Sequence, residues 1–136
     1  MPETDINLPV SQILDAGGHV TVTGTPEGLD AWALAELAQG LKANGGAGAG
    51  VVLHVARDDK RMAALRAGLR FFGAGRVRTI VFPAWDCVPY DRIAPNPEIA
   101  SRRLTALAQL TRLGRGKDDR ATVVITSVNA AVQKVP

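Results

Sequence analysis

Residues 51–82, VVLHVARDDKRMAALRAGLRFFGAGRVRTIVF, set two apolar runs on either side of a helical period. Val51–Ala56 (VVLHVA) is a nearly unbroken apolar run of strand length, the composition of a strand covered on both faces. Asp58 or Asp59 can then cap a helix, because a short carboxylate accepts from the free N–H groups of a first turn. Met62, Leu65, Leu69 and Phe72 follow at helical spacing, and Gly73 ends the helix. Residues 78–82 (RTIVF) are again short and apolar. Strand, helix and strand in this order make a βαβ unit, and such units build a parallel sheet with helices on its faces.

The same alternation extends in both directions. Downstream, a proline-punctuated connector at 83–97 leads into a helix over 98–113, where Ile99, Leu104, Leu107, Leu110 and Leu113 form a broad apolar stripe. A charged turn, GRGKDDR at 114–120, precedes another apolar strand, ATVVIT at 121–126, and a final short helix is expected over 128–135. Upstream, residues 44–50 (NGGAGAG) have no side chains to pack and read as a loop. The helix before them runs over 26–43, with Leu34, Leu37, Ala38 and Leu41 on one face and Asp30 and Lys42 away from it. Thr25 and Pro26 suit its cap and first turn, and residues 19–23 (HVTVT) read as the first strand. The expected architecture is three-layer α/β: a parallel sheet of about four strands with flanking helices over 19–136, behind a partly ordered leader at 1–18.

Composition narrows the function classes. The 136 residues, 46% of them hydrophobic, suit one domain with one core. The apolar runs are all of strand length, so neither a membrane span nor a signal peptide is expected, and the expected compartment is the cytoplasm. Cys87 is the only cysteine, so no internal disulfide can form, and it reads as a small packing residue. With only His19 and His54 beside it, no metal-ligand spacing is present. His54 lies inside an apolar run and reads as a core histidine. The net charge of +3 is small, and its arginines are spread along the chain as solvated faces. A weak DNA contact through Arg102, Arg112, Arg115 and Lys117 is the alternative.

An α/β domain normally binds phosphate where its first strand turns into its first helix. That turn is Gly24, Thr25, Pro26, Glu27, Gly28, Leu29 and Asp30. A nucleotide-binding P-loop needs a lysine after its second glycine and a hydroxyl after that. Here Leu29 and Asp30 come after Gly28, and in the other register Asp30 and Ala31 fill those places. Glu27 and Asp30 would put negative charge where a triphosphate must sit, and two unit charges ~4 Å apart repel by about 4 kcal/mol near a protein surface. The turn reads as a degenerate P-loop, with no cofactor and no catalytic residue. An unorthodox phosphate site at Gly24 to Gly28 in a nucleotide-using enzyme is the other reading. Asp86, Asp91 and Glu98 in and after the connector lack the histidine that would support carboxylate catalysis, and Pro83 ends the strand too early for Asp86 to act as a magnesium ligand.

Arg103 falls inside the apolar stripe set by Ile99, Ala106 and Leu110, whereas Arg102 points outward. A guanidinium in that position needs a partner, and Asp86 or Asp91 is expected to clamp it and hold the connector. Trp85 and Tyr90 are expected to pack the connector onto the sheet.

Residues 82–107, FPAWDCVPYDRIAPNPEIASRRLTAL, followed by VVITSVNAAVQKVP, resemble the amino-terminal part of the bacterial transcription-repair coupling factors, the Mfd family. The likeness extends back through GTPEGLDAWALAELA and the 51–72 unit. It implies a RecA-like, P-loop-NTPase-like fold, the first subdomain of a module similar to the repair helicase UvrB. It further implies that the chain is a piece of a longer polypeptide that translocates on double-stranded DNA with ATP and magnesium, displaces stalled RNA polymerase and recruits UvrA. By that likeness this region is a non-catalytic scaffold whose neighbours are the rest of its own polypeptide. UvrB has a working P-loop where this sequence has GTPEGLDA, and it carries a DNA-gripping hairpin for which the 83–97 connector has no room.

Overall fold

The computed structural model describes residues 10–15, 18–45, 50–87, 94–113, 115 and 119–133. Three parallel strands form an open sheet: β1 (Val51–Ala56), β2 (Val77–Phe82) and β3 (Ala121–Ser127), in the order β1-β3-β2. The chain crosses from β1 to β2 through α3 (Asp59–Gly73) and returns to the middle through α4 (Pro97–Leu113). Right-handed crossovers taken in opposite directions put their helices on opposite faces. Accordingly α3 packs with α2 (Leu29–Ala43) on one face, over Val123, Ile125 and Val77, while α4 packs on the other, over Ile80 and Val124. All seven residues of β3 are buried, as the central strand between two covered faces must be. The α/β architecture with helices on both faces of a parallel sheet is therefore the one expected from the sequence.

Local rules account for the helix ends. Asp58 caps α3, its carboxylate accepting from the Arg61 N–H at 2.7 Å. Asn96 caps α4, its side chain accepting from the Glu98 N–H at 2.9 Å. Ser127 ends β3 and caps the short α5 (Val128–Ala131), which is shorter than the expected 128–135; residues 134–136 lie outside the described residues. The small helix α1 (Val10–Asp15) lays Leu14 over Gly40 of α2.

Four expectations need correction. Residues 19–23 form no strand, so the described sheet has three strands; their side chains are exposed on both sides, and β-branched residues hold a strand only when one face is buried. The helix expected from residue 26 starts at Leu29, because Gly28 adopts φ 95° and a helix cannot propagate through the left-handed region. Thr25 accordingly does not cap it. Of the expected α2 face, Ala38 is buried and Leu34 packs on the core, but Leu37 and Leu41 are only partly buried; the buried stripe is Ala31, Ala35 and Ala38, and it lets α2 approach α3 so closely that a Cβ on Gly68 would stand 2.6 Å from that of Ala31. On α4, Leu104 is exposed and lies outside the buried stripe.

Candidate functional site

The turn at residues 24–30 leads into α2 with no strand before it, and it meets the carboxyl end of β1 and the first turn of α3. Gly24 and Gly28 both have positive φ, 75° and 95°, and bend the backbone into α2. Arg61, three residues past the cap of α3, reaches across to this turn. Its Nη1 donates to Glu27 Oε1 and its Nη2 to Asp30 Oδ2, both at 2.7 Å. The second Asp30 oxygen accepts from the Ala31 N–H at 2.9 Å. A cavity of about 400 Å³ opens beside this group, between Thr25, Glu27 and Arg61 on one side and His54 to Arg57 on the other.

The electrostatics follow from that arrangement. A phosphate at this turn would need free N–H groups at the start of α2 and an uncommitted cation. Asp30 already takes the Ala31 N–H, and two carboxylates already take the fork of Arg61. Half-buried His54 has its pKa lowered, first by burial and then by Arg61, with Asp30 opposing. It therefore stands by the cavity as a neutral imidazole near pH 7. Asp58 is held below the usual carboxylate range, chiefly by the Arg61 N–H that it caps. The turn expected from the sequence to be a degenerate P-loop thus holds an arginine that bridges two acids. Arg61 carried no signal when read alone. The findable signal was the pair Glu27 and Asp30, two acids at a turn that the topology puts beside the first turn of the next helix.

The other residues singled out from the sequence gather at β2 and α4. Arg103 is 1% exposed. Its guanidinium lies between two rings, 4.2 Å from the Phe82 centroid and 4.5 Å from that of Trp85, and Nη1 donates to the Pro83 carbonyl at 2.6 Å. Among the described residues its Nε and Nη2 have no hydrogen-bond partner. Asp86 does not pair with it; that carboxylate is exposed and accepts from the Asn96 N–H at 3.2 Å. Asp91 and Tyr90 lie outside the described residues. Trp85 stacks on Arg103, and its backbone N–H donates to Gln133 Oε1 at 2.7 Å, while Thr126 donates to the Phe82 carbonyl at 2.9 Å. The end of β2 and the beginning of the connector are therefore held at Phe82, Pro83 and Trp85 by α4, β3 and the segment after α5.

Arg102 pairs with Glu98 one turn away on α4. Arg112 and Arg115 are exposed at the other end of that helix, and Lys117 lies outside the described residues. Among the described residues no group of three His, Cys, Asp or Glu side chains could hold a metal ion, and no helix is long and apolar enough to cross a membrane.

The chain is 30% identical to the transcription-repair-coupling factor of Myxococcus xanthus over 135 residues, 93% of this chain, and it spans 10% of that protein's length. The similarity supports a relation to that family. No family model and no solved structure matches the chain.

Proposed function

We propose that this chain is a non-catalytic scaffold subdomain of a transcription-repair coupling factor. The observation that carries the reading is the Arg61 bridge. Where a motor subdomain would hold the phosphates of ATP, this chain holds its own guanidinium between Glu27 and Asp30. The bridge joins the start of α2 to the start of α3, so it braces two helices on one face of the sheet. The similarity to the Myxococcus xanthus factor supports the same reading. In such a protein ATP and magnesium serve motor domains elsewhere in the polypeptide. This subdomain would position its neighbours for UvrA in the cytoplasm, while other domains engage RNA polymerase and double-stranded DNA.

Titration calorimetry with ATP and magnesium tests it. The expected outcome is no saturable heat, and Arg61→Ala is expected to leave that result unchanged, because the acids Glu27 and Asp30 still repel a triphosphate. Tight nucleotide binding by the parent chain would favour the enzyme reading and sink this one.

A further inference from the structure

Away from the Arg61 bridge, β2 is an edge strand: it pairs with β3 on one side and with no strand among the described residues on the other. An open edge presents alternate backbone N–H and C=O groups that a further strand can take up. Here the edge is the floor of a groove of about 860 Å³, to which β2 contributes Thr79 and Val81. The walls are two helices on opposite faces of the sheet. α3 lines one from Asp59 to Arg70, and α4 lines the other from Ile99 to Gln109. Eleven residues of helix span about 17 Å, the length of about five residues of extended chain.

The charges along the α3 wall are sorted. Asp59 stands at its beginning, and Arg66 and Arg70 stand further along. Both arginines are exposed, and no ion pair engages either among the described residues. They are one helical turn apart, which is about 6 Å. Side chains at i and i+2 of a strand project to the same side about 6.8 Å apart, so a strand with acids at alternate positions matches the two guanidinium groups. Its intervening side chains would face the α4 wall, where Ile99 stands with Ser101, Thr105 and Gln109 and where Arg102 is already paired with Glu98.

We infer that this groove binds an extended acidic peptide from a partner protein, added as a fourth strand to the open edge of β2. Its carboxylates meet Arg66 and Arg70, and its intervening side chains meet Ile99 and Thr105. A nucleic-acid backbone would match the arginines but would leave the strand edge unused.

The test uses a fluorescein-labelled, acetylated heptapeptide alternating valine with glutamate, titrated with the intact chain in fluorescence polarisation. Saturable binding is expected, weakened at least about tenfold, or 1.4 kcal/mol, in the Arg66→Glu/Arg70→Glu double variant, which should instead prefer the valine–lysine peptide. Both positions are exposed, and a thermal melt verifies that the variant folds. N-methylation of alternate peptide nitrogens is expected to abolish binding, since strand addition needs those donors. Equal binding of the methylated peptide, no binding of the acidic peptide at millimolar concentration, or its displacement by a single-stranded oligonucleotide would each overturn the proposal.

Discussion

Arg61 and Arg103 each tie a loop to a helix, and they do so by opposite means. Arg61 is a quarter exposed and gives two of its three guanidinium nitrogens to carboxylates at 2.7 Å. Arg103 is buried, lies between two rings, gives one nitrogen to a carbonyl and leaves two nitrogens without partners among the described residues. Near solvent an ion pair costs little to form and returns little, because water and salt screen it. In the interior a carboxylate would also have to be desolvated, whereas ring faces hold the cation without a second buried charge. Ion-pair geometry is therefore a poor guide to which arginine matters more. Burial is the better one.

The sharpest way to break that comparison is to remove Arg103. Arg103→Ala is expected to cost about 3–4 kcal/mol, from lost packing, two cation–π contacts and a carbonyl left unpaired in the interior. Arg103→Lys should recover little, because an ammonium cannot lie flat between Phe82 and Trp85. Arg103→Met keeps the stem and removes the two unpartnered nitrogens, so it should fall well short of the alanine loss. Urea denaturation followed by circular dichroism gives the order. If Arg103→Ala costs no more than Arg61→Ala, burial is not what separates the two sites.

Removing Arg61 is the milder test. Arg61→Ala is expected to cost about 1 kcal/mol, almost all through the partly buried Asp30, since Glu27 is 85% exposed and its pair is screened. In 0.5 M salt, where the Debye length falls to about 4 Å, the difference between parent and variant should shrink. The Arg103 difference should hardly move. A salt-independent Arg61 loss would mean that its aliphatic stem, and not its charge, braces the turn.

Much of this contrast was legible in the sequence, and the reasons differ by element. Three strands and the α3 helix carry their own period and caps, so β1, α3, β2 and β3 could be placed from local pattern alone. Arg103 was legible as a buried cation because it interrupts an apolar stripe. Its ring partners were not, since Phe82 and Trp85 reach it only once β2 and α4 pack. That the turn lacks a P-loop lysine and hydroxyl was legible, because Leu29 and Asp30 stand after Gly28. The arginine that fills the turn was hidden, because Glu27 and Arg61 are 34 residues apart and join only through the parallel topology. Residues 19–23 were overread for the converse reason: β-branched composition was there, but no face for it to bury.

His54 reports on the Arg61 side at the smallest scale. Its pKa is lowered in the folded chain, mainly by burial, with Arg61 adding to the effect and Asp30 opposing it. As pH falls below about 6.5 the unfolded chain takes up the proton first, so folding loses stability until the pH passes the folded value. Asp58 is also depressed, but its contribution is lost only below about pH 4, which leaves the window between pH 7 and 5 to the histidine. Thermal melts across that window should fall in the parent and fall less in His54→Gln, by a few tenths of a kcal/mol. Removing Arg61 takes away a charge that opposes the imidazolium and leaves Asp30, which favours it, so His54 in Arg61→Ala should titrate higher than in the parent. An NMR titration of the imidazole reads this directly. A downward or absent shift would mean that Arg61 acts on the turn without reaching the cavity beside β1.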